Sequence, residues 1–149
     1  MNKKIKNKLY YRNEKLNKQS KNFIRFSLKK GKKEVAEKNM KKMLFYLTNK
    51  TKKNSNNIIK SGIKKSKTPF NYKTKAFGSK KVYSIDVLKE SYSLYLAHSW
   101  IIKNASNRNN KNFYKNLGDE FLSIAEGTSS IYSQKAEIYK TIKANIFIK

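Results

Sequence analysis

Apolar residues recur at steps of three and four over most of the chain, and the breaks in that rhythm mark its joints. Phe23, Ile24 and Phe26 predict a short helix from about Ser20 to Lys30, with Gly31 in the left-handed position just past its end. Ala36, Met40, Met43 and Leu47 give a second helix over about 33–49, ended by the polar stretch NKTKKNSNN. Ile58, Ile59 and Ile63 mark a third, stopped by the approach to Pro69, because a residue before proline avoids the helical region. The period then changes. In FNYKTKAFGSKKVYSIDVL, residues 70–88, Tyr72, Thr74, Val82, Tyr83, Ile85 and Val87 supply β-branched and aromatic side chains to two runs flanking Gly78-Ser79. Helical spacing returns in Leu94, Ala97, Ile101 and Ala105 (90–107) and in Tyr114, Leu117, Phe121 and Ile124 (110–126, capped by Gly127). It continues in Ile131, Ile138, Ile142 and Ile146 (131–147). The pattern predicts a mainly α fold: a helical bundle of about six helices with one protruding β-hairpin. With no internal repeat and no Pro- or Ser-rich linker, residues 1–19 read as a basic N-terminal arm and 20–149 as one domain.

Charge decides what kind of domain this is. The 149 residues carry 36 Lys and Arg against 9 Asp and Glu, a formal net charge of +27. Packed into one domain, that excess opposes compaction, and a polyanion relieves it; nucleic acid has the highest linear charge density available. The excess is also uneven. Residues 1–81 hold 27 cations and 3 acids, whereas 82–149 hold 9 and 6. The first half reads as a binding surface and the second as an ordinary helical scaffold.

Other chemistries find little support. Without cysteine there are no disulfides, thiolate metal sites or cysteine nucleophile. No apolar run approaches the roughly 18 residues needed to span a membrane. The N-terminus lacks an apolar secretory core and is rich in Lys and Asn, a poor fit to a mitochondrial import sequence. His98, the only histidine, has no convergent carboxylates and reads as a packing residue. Trp100 reads as core, Asp119-Glu120 as acids opening the fifth helix, and Glu34 and Glu37 as partners of nearby lysines. No phosphate-binding glycine loop is present, and neither a catalytic residue nor a metal or cofactor is assigned.

Three stretches carry a resemblance. FIRFSLKKGKKEVAEKNM, beginning at Phe23, resembles the segment F-I-N-K-L-M-x-x-G-K-K-x-x-A-E-K of the small-subunit ribosomal protein seven family of bacteria and organelles. LAHSWIIKNASNR, 96–108, resembles its L-A-x-R-W-L-V-x-x-A-x-x-R helix, and GDEFLSIAEGTSSIYSQKAEIYKTIKANIF, 118–147, resembles its last two helices. The likeness covers about 20–147. Departures are local: Ser79 replaces the second glycine of the hairpin tip, Ser84-Ile85 replace a Val-Pro pair, and Ser99 stands where the family has Arg before Trp. Ser133-Gln134 replace two basic residues, and the chain stops at Lys149 without the family's aromatic-basic tail. The resemblance implies binding and organisation of small-subunit head ribosomal RNA, with the hairpin near the exit-site transfer RNA and the messenger path. It also implies contacts to neighbouring ribosomal proteins of head and platform.

The RNA-binding candidates follow from both lines. Lys29, Lys30, Lys32 and Lys33 crowd a glycine turn whose like charges repel unless an outside partner neutralises them. Lys64, Lys65 and Lys67 extend the surface along the third helix, and Lys73, Lys75, Lys80 and Lys81 along the hairpin around Phe77 and Gly78. Lys3 and Lys4 of the arm and Arg108 complete the set. Lysine is a point charge rather than a bidentate fork, so the set is suited to RNA shape and backbone, not base sequence. Phe77 at the tip either stacks on a base or packs locally. Lys, Asn, Ile, Tyr and Phe abound while Arg, Gly and Pro are scarce, a bias of AT-rich codons. It points to an organelle-encoded protein, mitochondrial first, with a plastid or an AT-rich bacterial cytoplasm as alternatives. A general nucleic-acid-compacting protein is the rival function.

Overall fold

A computed structural model describes residues 16–146. Helix α1 spans Lys18–Ser27, α2 Lys33–Thr51 and α3 Ser55–Ser66; strands β1, Phe70–Phe77, and β2, Lys80–Val87, form an antiparallel hairpin. Helices α4, Glu90–Ser106, α5, Phe113–Glu126, and α6, Ser130–Ile146, complete the chain. The fold is mainly α with one two-stranded hairpin, as the periodicity predicts.

Helix α5 lies at the centre of the bundle and packs against α2, α3 and α4. Its Leu117, Phe121 and Ile124 are buried with Phe23 of α1, Met40, Met43, Leu44 and Leu47 of α2, Ile59 of α3 and Ile101 of α4. Two helical glycines allow this close approach. A Cβ on Gly62 would sit 2.7 Å from Cδ1 of Phe121, and one on Gly118 would sit 2.7 Å from Cδ1 of Tyr46. Ala97, Ala105 and Ile131 are buried, while Leu94 and Tyr114 pack half-buried at the margin.

Several boundaries differ from the sequence reading, for local reasons. Helix α1 begins at Lys18 because Asn17 caps it, its Oδ1 accepting from the Ser20 amide at 2.8 Å. It ends at Ser27, since Leu28 is already extended, so Gly31 is not its cap. Instead Lys30 (φ 53°) and Gly31 (φ 71°) together form the turn into α2. Helix α2 runs on to Thr51 and stops where Lys52 turns left-handed. Helix α5 starts at Phe113 after Asn112, so Asp119 and Glu120 lie past its first turn and do not complement its dipole. Trp100 is half-buried against the core rather than inside it.

What these acids do instead holds the second half together. Glu120 is 2% exposed and accepts from Arg108 Nη2 at 2.8 Å and Nε at 3.0 Å, and from the Ser129 hydroxyl. This clasp ties the α4–α5 loop to the start of α6. Asp119 accepts from Tyr46 at 2.7 Å and Lys50 at 2.9 Å, joining α5 to α2.

The hairpin pairs Phe70 with Val87 and Phe77 with Lys80. Gly78 has φ 60° and Ser79 has no positive φ, which is the II′ arrangement with glycine first. A single glycine therefore suffices at this tip. The base of the ribbon rests on α6, while its length stands in solvent.

Candidate nucleic-acid interface

Directly opposed residues of an antiparallel pair share a face, so the register sorts the hairpin into two surfaces. One carries Lys73, Lys75, Phe77, Lys80, Val82 and Asp86. The other carries Phe70, Tyr72, Tyr83, Ile85, Val87 and Lys81, with the Tyr72 and Tyr83 rings edge-to-face at 5.7 Å. On the lysine face, Lys73 binds Asp86 at 2.8 Å, and that hydrogen bond raises its pKa. Lys75, Lys80 and Lys81 have no partner within the described residues, and Phe77 at the tip is 67% exposed.

At the α1–α2 turn, consecutive left-handed residues fold the backbone tightly enough to fan out Lys29, Lys30, Lys32 and Lys33, all exposed. Only Lys33 has a carboxylate nearby, Glu37 at 3.9 Å. No side chain caps α2, so the positive end of its dipole adds to the lysine field.

The lysines of helix α3 and its C-terminal cap divide between internal bonds and solvent. Lys65 donates to the Ala125 carbonyl at 3.3 Å, bridging to α5. Lys67 pairs with Glu90 at 2.9 Å, and this hydrogen bond lowers the Glu90 pKa. Lys64 is exposed and unpaired among the described residues. It lines a cavity of about 420 Å³ with Lys18, Asn22, Lys60, Lys67 and His98. Lys18 and Lys60 were not singled out by the sequence reading. The signal for Lys60 was present, since 60, 64 and 67 fall on one helical stripe. Lys18 required the tertiary packing of α1 against α3.

Arg108, expected from the sequence to bind RNA, also has partners inside the protein: its guanidinium is clasped by Glu120 and Ser123 and about a third exposed. Lys3 and Lys4 lie outside the described residues. His98 is 1% exposed, its ring stacked on Phe26 at 4.6 Å and tilted against Phe23 at 5.1 Å. Its Nδ1 lies 2.6 Å from the Leu94 carbonyl, so Nδ1 carries the proton, and burial pushes the imidazole pKa down. Among the described residues no three carboxylates or imidazoles converge on a common point, and no helix is long and apolar enough to cross a membrane.

The five ion pairs among the described residues engage Glu37, Asp86, Glu90, Asp119 and Glu120. These five of the eight described acids are committed, and most of the described lysines have no carboxylate partner among the described residues. The sequence matches the family model for ribosomal protein S7p/S5e over residues 1–146. The chain belongs to the ribosomal protein S7p/S5e family. It is a small-subunit ribosomal protein that binds ribosomal RNA, in a family that is structural rather than enzymatic. No curated protein matches the chain. In this member of the S7p/S5e family, the lysine-faced hairpin, the glycine turn at α2 and Lys64 of α3 present charge outward with no partner among the described residues, apart from Lys33 and Lys73.

Proposed function

We propose that this protein braces the head-domain ribosomal RNA of a mitochondrial small subunit. Lysines would neutralise phosphates while the apolar bundle fixes the RNA helices in register. The observation that carries the reading is the contrast between committed acids and uncommitted lysines. Lys29, Lys30, Lys32, Lys64, Lys75, Lys80 and Lys81 project from the surface with no partner within the described residues. The arm with Lys3 and Lys4, over about 1–19, adds to this surface in our reading, ahead of the single domain that follows.

The resemblance and the hairpin geometry together support a second, finer assignment. The ribbon projects from the body, carries lysines on one face and ends on an exposed Phe77, as a contact to exit-site transfer RNA and messenger RNA would require. Neighbouring ribosomal proteins of head and platform are its expected protein contacts. The AT-rich codon bias supports the mitochondrial assignment.

The test is sedimentation of a mitochondrial lysate through a low-salt gradient, where lysine–phosphate contacts hold. The protein is expected to travel with the organelle's small subunit and to lose that position on ribonuclease treatment. Migration with DNA, or spreading through the light fractions, would replace this reading with a general compacting protein. Comigration with a plastid or bacterial small subunit instead would move the location and keep the function.

A further inference from the structure

An aromatic row runs along the outer side of α1 and α4, and nothing in the lysine account uses it. Tyr92 and Tyr95, one helical turn apart on α4, are 49% and 48% exposed, with rings near-parallel at 6.0 Å. Tyr95 meets Phe26 of α1 edge-on at 5.7 Å, and Phe26, 38% exposed, stacks on buried His98. Three large rings standing in water on two elements is a surface feature that folding alone does not require.

What lies at the two ends identifies the occupant. Beyond His98 opens the cavity lined by Lys18, Lys60, Lys64 and Lys67. Beside Tyr92 lies a second cavity of about 490 Å³ lined by Lys73 and Lys89. The acids at these ends, Glu90 and Asp86, are already bound to Lys67 and Lys73. A row of exposed rings between two cationic hollows matches unpaired nucleotides, whose bases stack on aromatic faces while their phosphates take the lysines. A protein partner would find the apolar row but leave the lysines unneutralised.

We propose that Phe26, Tyr95 and Tyr92 form a stacking platform for a short single-stranded segment of RNA, with its phosphates held at the lysine-lined hollows on either side. This rests on the RNA-binding reading and adds to it a preference for unpaired bases. In a duplex the bases are already stacked, so the platform contributes nothing there.

The test compares the intact protein with a Tyr92→Leu/Tyr95→Leu variant. Circular dichroism checks the fold of each. The probes are a single-stranded oligouridylate carrying one 2-aminopurine and a fully paired RNA duplex of equal length. The double variant is expected to lose about tenfold or more in affinity for the single strand, together with the 2-aminopurine quench. Duplex affinity and salt dependence are expected to stay unchanged. A Tyr92→Phe/Tyr95→Phe variant, which keeps the rings, is expected to bind like the parent. Equal losses on both RNAs, or none on either, overturn the platform while leaving the ribosomal reading intact. So does a concentration-dependent dimer abolished by the leucines, which would make the row a self-association surface. Salt-independent binding of the parent protein to both RNAs would overturn the ribosomal reading, and the platform with it.

Discussion

Gly62 and Gly118 show how a single absent methyl group sets the spacing of the bundle. Alanine is the better helix former by about 1 kcal/mol, so on propensity alone both substitutions would stabilise. Contact decides otherwise. At Gly62 the new Cβ would strike Phe121, which is fully buried at the bundle centre and has nowhere to move. Gly62→Ala is therefore expected to lower stability by about 1–3 kcal/mol in urea unfolding. Gly118→Ala meets Tyr46, a half-buried ring, and should cost less. Equal effects at the two sites would show that ring mobility does not govern the penalty. His98 adds a pH dependence. Burial lowers its folded-state pKa below that of the unfolded chain, so protonation favours unfolding. Its contribution is complete above about pH 6.5 and is lost as pH falls below that value. A His98→Met variant should lack this component when urea midpoints at pH 8 and pH 5 are compared. These residue-scale features were unevenly legible in the sequence. That His98 packs followed from the lack of convergent carboxylates in the sequence. The roles of Asp119, Glu120 and Arg108 did not, because each depends on which helix lies opposite.

At the scale of elements, periodicity carried the reading furthest. Helices, hairpin and their order could be seen because the apolar steps change from three and four to two at Phe70 and back again at Glu90. Ends were less visible. They are set by single backbone choices, such as Asn17 capping α1 or Lys52 turning left-handed, that leave no periodic trace. The hairpin tip illustrates the difference. With Ser79 in place of a second glycine the turn type was open, and φ 60° at Gly78 alone resolves it as II′. Gly78→Ala is expected to destabilise the ribbon by about 1 kcal/mol or more, read as faster amide exchange along β1 and β2, with exchange in α5 unchanged. The lysine face makes a separate prediction. Lys75 and Lys80 have no carboxylate partner among the described residues. Replacing both with glutamine should therefore reduce the salt slope of RNA binding by about two, one per phosphate contact. Lys73, tied to Asp86, should contribute less than either.

At the scale of the whole molecule, the chain divides its labour as its charge distribution does. The acid-balanced second half puts Asp86, Glu90, Asp119 and Glu120 into internal pairs, most completely at the buried Glu120 clasp. The lysine-rich first half surrounds a turn, a helix edge and a ribbon where Lys29, Lys30, Lys32, Lys64, Lys75, Lys80 and Lys81 meet no counterion among the described residues. Net charge and its asymmetry were readable from composition alone. Which lysines are occupied was not: Lys65 and Lys67 appear alongside Lys64 in one run yet bind protein acceptors, while Lys60 joins the cationic hollow. The central claim is that uncommitted lysines bind RNA by displacing its counterions, and the direct measurement is the affinity for a head-domain ribosomal RNA fragment across a salt series. Six or more phosphate contacts predict a linear fall of log affinity with log salt, a loss of about a thousandfold or more between about 50 and 200 mM. A flat dependence over that range would contradict the account.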